Sequence, residues 1–387
     1  MNYGEHSMPS QHAILSASSS NRWIHCTPSA RLEERVPEQA SIYAAEGTVA
    51  HAKAEQKLTN WKEGHPRRKV KCEDGEMDEA TTAYRDYVVE VFNEEKKKCA
   101  GTELYVEVQL DLTPWIPDGF GTADAIVVSD DTLHVIDLKY GKGVPVDAPH
   151  NSQLMLYGAG ALNQFEMYFD FDQIKLHIFQ PRLDHISTYD MYVDDLTTWL
   201  AMVVKPSADM AWKGEGKQKP GEWCRFCKVK GNCKARAEQI KQMNERYKQL
   251  DAMLLTDDEV AQILPMLPDV KAWTKDIEEF ALSQALNGTH YDGYKVVEGV
   301  SRRKIVDQET VMSVLDKEGY SKEAYMKAPE LKTITALEKL VGKKHFSELT
   351  EGCIEKPQGK PVLVPVTDKR PEWQSGIDDF KDEKEED

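Results

Sequence analysis

The stretch from His134 to Gly143, HVIDLKYGKG, places Asp137 and Lys139 two residues apart in an otherwise apolar strand. Residues i and i+2 of a strand share a face. Carboxylate and ammonium therefore project side by side, while Ile136 and Leu138 pack on the opposite face. Burying such a pair is costly unless something compensates it. Two arrangements do so: a structural ion pair, or a metal ligand beside a catalytic ammonium. Asp124, in GFGTAD after Gly119 and Gly121, bears on the choice. If the strands around Asp124 and Asp137 form a hairpin turning at Ser129–Asp131, the two carboxylates meet at its open end. Carboxylates held close repel each other, which a hard dication such as Mg2+ relieves. That ion would supply a nucleophilic water and stabilise charge developing on phosphorus. Lys139 would orient or deprotonate the water, with His51 as a further ligand or phosphate contact. Singly, each residue has an ordinary explanation. Asp-x-Lys is common as a structural pair, His51 as a satisfied helical histidine, and Gln153 with Tyr157 as a helical i, i+4 pair. Glu107 reads as a solvent-facing strand residue.

A second group is sulfur. Cys224, Cys227 and Cys233 crowd together in EWCRFCKVKGNCKAR, and Cys26 stands far upstream in RWIHCTPSA. Their spacing alone fits half of a zinc site, a redox pair with a bystander, or free thiols. Thiolates so spaced reach a common metal centre through a turn. A fourth ligand is needed, and Cys26 is the natural candidate. Cys72, Cys99 and Cys353 read as ordinary thiols. Around the cluster lie Arg225, Lys228, Lys230, Lys234, Arg236 and Lys241, either a solvated helical face or a strip that follows phosphates.

The elements that must position these groups follow from periodicity. A short helical segment containing Trp23 ends near Pro28. Helices are expected from about 41 to 58, with Ile42, Ala45, Val49 and Ala52 buried, and from about 78 to 97, with Tyr84, Tyr87, Val88, Val91 and Phe92 buried. The period then becomes two in ELYVEVQL, a half-buried strand. Two strands follow in FGTADAIVVSDDTLHVIDLKY, then a helix from about 151 to 162, strands in IKLHIFQP and STYDMYV, and a helix in DDLTTWLAMVVK. This order predicts an α/β core with a mixed central sheet flanked by helices. Beyond the cysteines the chain reads as mainly helical, with a capping box at Thr256–Glu259 and a hairpin in YKVVEGVSRRKI. The expected domains are 1–240, 241–370, and an acidic disordered tail over 371–387.

The chain has 387 residues, 40% hydrophobic and 30% charged, which is ordinary for a soluble protein. The start, MNYGEHSMPSQ, lacks a signal-peptide pattern. No apolar run approaches the ~20 residues that span a bilayer, so a cytoplasmic protein with no membrane partner is expected. Seven cysteines without a secretory signal argue against a disulfide framework. The net charge of −17 argues against a protein that coats nucleic acid by bulk electrostatics but leaves room for a nuclease with local patches.

Together and in order, EGTVAH, GTAD, IDLKYGKG and QLMLY resemble the RecB-type nucleases of the PD-(D/E)xK superfamily. The resemblance implies a restriction-endonuclease-like core and a Mg2+ or Mn2+ held by Asp124, Asp137 and the Leu138 position, with His51 assisting. It further implies that Lys139 serves catalysis and that Gln153 and Tyr157 contact DNA or brace the site. One cysteine before this core and three after it is the arrangement of the iron–sulfur members, AddB-type and CRISPR-associated RecB-like nucleases. By that likeness Cys26, Cys224, Cys227 and Cys233 hold a [4Fe–4S] cluster, with structural Zn2+ as the alternative. SASSSNRWIHCTPSA is similar to their serine-rich opening, with Cys-Thr-Pro in place of Cys-Pro. The opening HAILSASSSNRWIHC and the ending KPQGKPVLVPVTDKRPEW also resemble a phage and prophage family described only as a domain of unknown function. The implied protein is a metal-dependent deoxyribonuclease, more an exonuclease resecting ends than an endonuclease, in phage replication or recombination within a bacterial cell. Its expected partners are DNA and a phage single-strand-binding or recombination protein. The alternative is a catalytically silent nuclease fold that binds DNA or such a partner.

Overall fold

Period-two patterning over residues 103–138 and 173–192 builds one sheet, and the flanking helical repeats cover its two faces. The computed structural model describes residues 13–37, 42–72, 74–248 and 254–297. Short helices α1 (Ser20–His25) and α2 (Ser29–Glu34) precede the long helices α3 (Ile42–Lys62) and α4 (Gly75–Lys98). Strands β1 (Glu103–Asp111), β2 (Phe120–Val128) and β3 (Thr132–Leu138) follow, then α5 (Ser152–Phe165), β4 (Gln173–Gln180) and β5 (His185–Tyr192). The five strands lie in sequence order; β3 and β4 are parallel and the other neighbours antiparallel. The α5 crossover makes that parallel pairing possible, since antiparallel neighbours need only a turn. The Ser129–Asp131 turn is closed by Ser129 N donating to Thr132 O at 3.0 Å.

Each sheet face has its own core. On one side Ile126, Val128, Leu133 and Val135 pack against α5 and the segments around α1, α6 (Val193–Trp199) and α7 (Lys205–Lys213). On the other, Ala125, Val127, Ile136 and Leu138 meet Ala54 and Leu58 of α3 and Tyr84, Val88 and Val91 of α4. Strand β3 is buried along its whole length, as expected when helices cover both faces. Helix α5 is buried almost all round. At Gly160 a Cβ would come within 2.7 Å of Leu110 Cβ, so glycine there sets how closely α5 approaches β1.

The expected stripe on α3 is rotated. Ala50, Ala54 and Leu58 are buried, while Ala45, Val49 and Ala52 are exposed. The small alanines let α3 pack close on the sheet and turn His51 toward the strand ends. The first helix ends at His25, and Pro28 is the N-cap of α2. The expected single helix after β5 is three pieces: α6 (Val193–Trp199), a π-helical turn at Leu200–Val204, and α7 (Lys205–Lys213).

Beyond the cysteines come α8 (Lys234–Lys248), α9 (Asp257–Ile263) and α10 (Leu267–Leu286). Thr256 and Glu259 form the reciprocal capping box. The chain divides into units Met1–Val297 and Glu298–Asp387. The expected boundary at 240 falls inside α8. Most of the expected hairpin, the later helices, Cys353 and the acidic tail lie outside the described residues. Among the described residues, no helix is long and apolar enough to cross a membrane.

Candidate active site

The end of the β2–β3 ladder gathers the charged residues. Val106 pairs with Ala125 and Val108 with Ala123, which sets Glu107 opposite Asp124. Ala125↔Ile136 is the outermost β2–β3 pair, so the next residues outward are Asp124 and Asp137. Three carboxylates thus stand abreast on three adjacent strands. Beyond this point β2 and β3 part, and Leu138 N donates to Asp124 Oδ2 at 2.7 Å. The Asp124 side chain replaces a ladder bond and is fixed by doing so. The Leu138 side chain is buried in the α3/α4 core, and its backbone alone faces the site.

His51 Nδ1 lies 3.0 Å from Asp124 Oδ1. Lys139 Nζ lies 2.8 Å from Asp137 Oδ2 and donates to Gln153 Oε1 at 2.9 Å. Gln153 Nε2 in turn donates to Tyr157 OH at 3.0 Å, which fixes the amide's orientation. Helix α5 presents this pair because Asn151 caps it, accepting from Gln153 N at 3.1 Å and Leu154 N at 3.2 Å. Gly121 is required by the Tyr157 ring: a Cβ there would sit 2.7 Å from Cε1. All these side chains, with Ser16, Ser18 and Glu107, line one cavity of about 400 Å3.

The electrostatics are those of crowded negative charge. Asp137 is 3% exposed, and burial pushes its carboxyl above the ordinary range, with Lys139 pulling the other way. Its Oδ2 makes no hydrogen bond of good geometry despite the nearby ammonium. Burial, and next the adjacent Asp124, raise Glu107 to about 7. Burial would lower the His51 pKa, but Asp124 outweighs it and holds the imidazole near 9. Ligand atoms of His51, Glu107 and Asp124 lie within 4.8 Å of one another. This donor set, mainly hard oxygens, fits Mg2+ or Mn2+.

Glu107 is the residue that the sequence reading left facing solvent. It adopts φ 49°, a left-handed conformation that costs a non-glycine residue about 1–3 kcal/mol, and it lines the cavity. The hairpin register was the available signal, because it sets a like charge directly across from Asp124, an unfavourable pairing.

Cys26, Cys224, Cys227 and Cys233 line a second pocket, and none forms a disulfide. A short turn, Glu222–Phe226, carries Cys224 and ends at Cys227. Buried Glu33 ties the region together, pairing with Arg22 at 2.8 Å and accepting from Lys228 N at 2.7 Å. Burial raises the thiols of Cys26 and Cys224, and that of Cys227 to about 12. A metal centre in this pocket would offset the resistance of Cys26, Cys224 and Cys227 to ionisation by stabilising the thiolates directly. The expected basic strip divides here. Lys230 and Arg236 are bound to Asp276 of α10 at 2.9 and 2.7 Å, whereas Arg225, Lys234 and Lys241 are exposed. Cys72 and Cys99 stand apart, Cys72 donating to Asp74 O and Cys99 ending α4.

A solved structure described as the crystal structure of SSO0001 is similar at 16% identity and a TM-score of 0.27, over 60% of this chain and 89% of that one. A family model described as "Protein of unknown function (DUF2800)" matches residues 12–371. That match takes in the serine-rich opening, the carboxylate site, all four clustered cysteines and most of the region beyond them, and the chain belongs to the DUF2800 family.

Proposed function

We propose that the chain is a metal-dependent deoxyribonuclease with a RecB-type, PD-(D/E)xK core, acting on DNA ends in phage replication or recombination. The observation that carries this reading is the row Glu107–Asp124–Asp137 beside Lys139 in an open cavity. Three buried or half-buried carboxylates repel one another, and a bound dication removes that cost. Asp124 and Asp137, with Glu107 and the assisting His51, would hold the ion. Once bound, it supplies Lewis-acid stabilisation of the phosphoryl transition state and a more acidic water.

The chain's own groups do the rest. Lys139 is aimed by Asp137 and Gln153, so its ammonium orients the attacking water or steadies the anionic phosphate. Tyr157 holds Gln153 in turn. His51 holds Asp124 in place through their shared hydrogen bond. The four-cysteine pocket would hold a [4Fe–4S] cluster, with Zn2+ as the alternative, joining the opening segment to the chain beyond the sheet.

The test is cleavage of end-labelled linear, nicked-circular and closed-circular DNA by anaerobically purified protein in Mg2+ or Mn2+, beside Lys139→Ala. Digestion of linear DNA by wild type alone is expected, from a brown, iron-containing preparation. Failure of wild type to cut, in a preparation that retains its metal, would overturn the enzymatic reading.

A further inference from the structure

The cysteine pocket has an outer side that neither a metal centre nor a core requires. Phe226 is 74% exposed, and the Arg225 guanidinium lies 5.7 Å from its ring centre. Three residues before it, Trp223 stacks on exposed His25 at 4.3 Å and 12°. Lys219 Nζ lies 5.9 Å from the indole, and the indole N–H donates back to Lys219 O at 2.7 Å. Phe226 is thus open to solvent, whereas half-buried Trp223 is packed between His25 and Gly221, where a Cβ would collide with the indole, and so holds the exposed His25 ring in place. Between Lys217 and Lys234 the chain carries six basic side chains and one acidic residue, Glu222, on a protein of net charge −17.

Exposed rings interleaved with cations fit a particular partner. A protein partner would account for the rings and Arg225 but not for the lysines, which are depleted at protein interfaces. Duplex DNA offers phosphates but keeps its base faces stacked away. Single-stranded nucleic acid offers both phosphates and free base faces. We infer that Phe226 and His25, the latter backed by Trp223, form with Lys219 and Arg225 a stacking platform for single-stranded DNA on the outer side of the cysteine pocket.

Placement supports this. Ser16 and Ser18 line the carboxylate cavity, and α1 carries the chain from there to His25. A six-residue helix is about 9 Å long, so one short strand reaches both places. The platform would hold single strand exposed at the ends of the linear DNA that the proposed nuclease digests. In that respect it rests on the nuclease reading, but its binding does not.

The experiment is fluorescence anisotropy of a labelled oligo(dT) and of a matched duplex, with full-length protein and no added divalent metal, at two salt concentrations. Single strand should bind more tightly than duplex. Phe226→Ala should weaken single-strand binding by roughly fivefold to a hundredfold, the range of one base stack, and Phe226→Tyr should restore it. Trp223→Phe, which keeps a ring beside Cys224, should bind better than Trp223→Ala. The ring variants should keep the wild-type salt dependence, whereas Lys219→Gln should lower it. Equal binding by Phe226→Ala and wild type, or duplex bound as tightly as single strand, would overturn the platform. Ring-dependent binding without cleavage in Mg2+ would break the nuclease reading and leave the platform standing. Cleavage with ring-independent binding would do the reverse.

Discussion

Strand β3 carries two polar clusters, one on each face, and they differ in the balance of their charges. On the α4 face His134 Nδ1 meets His177 Nε2 at 3.1 Å, and His177 Nδ1 meets Tyr87 OH at 2.9 Å. Glu95 Oε1 stands 3.4 Å from His134 Nε2 and 2.7 Å from Lys98 Nζ. Burial lowers both imidazoles to about 3. The histidines are therefore neutral, and the one carboxylate among them has its own lysine. On the α5 face three carboxylates meet one lysine and one histidine, at a cavity. A cluster whose charges balance is a way of burying polar atoms, here with His134 Nε2 left without a hydrogen bond of good geometry. A cluster whose charges do not balance, and which opens to solvent, fits the cation-binding role proposed above.

The sharpest way to break this comparison is Asp137→Asn, which keeps the shape and removes the charge. Cleavage in Mg2+ should fall by about 10^3-fold, corresponding to several kcal/mol of lost transition-state stabilisation. Cooperative unfolding should persist, as read by circular dichroism. Unchanged cleavage would remove Asp137 from the site and return the Asp137–Lys139 pair to a structural role.

Glu107→Gln has a smaller expected effect on rate, about tenfold, together with a higher Mg2+ requirement. Its second consequence separates the two clusters. The Glu107 carboxyl titrates near 7 in the folded protein and near 4.3 when unfolded. Between those values the folded state holds a proton that the unfolded state has released, so metal-free stability falls as pH rises through that window. Glutamine cannot ionise. At pH 8 without metal the variant should melt higher than wild type, and at pH 4.5 the two should converge. A variant that melts lower at pH 8 would mean that Glu107 is a structural residue.

Where the pattern was local, the sequence disclosed the architecture. The alternation in ELYVEVQL, the Ser129–Asp131 turn and the Thr256–Glu259 capping box all stand where local rules set them. Asp124, Asp137 and Lys139 were legible for the same reason, since i, i+2 geometry and a hairpin suffice to bring them together. Glu107 was hidden because its role depends on register and on a left-handed backbone that alternation does not encode. The α3 face was misread because alanine carries too little hydrophobic signal to fix the phase of a helix. The pairing of Lys230 and Arg236 with Asp276 joins positions about 40 residues apart, and nothing local announces it.

The histidine cluster gives the smallest effect on activity and the complementary pH response. Folded His134 and His177 resist protonation down to about 3, while in the unfolded chain they take up protons below about 6.5. The stability that this confers is complete above 6.5 and is lost as pH falls toward 3. His177→Gln retains an amide able to bond Tyr87 and His134 but cannot take a proton. Between pH 6.5 and 4.5 its unfolding free energy, from urea denaturation, should fall less steeply than that of wild type, by up to about 1.4 kcal/mol per pH unit. Cleavage at pH 8 should stay within about twofold of wild type, because the cluster is buried beneath α4 on the face away from the α5 cavity. Parallel pH slopes would mean that His177 takes up its proton in the folded protein too. A large loss of cleavage would mean that β3 couples its two faces, and charge balance would then no longer separate the structural cluster from the functional one.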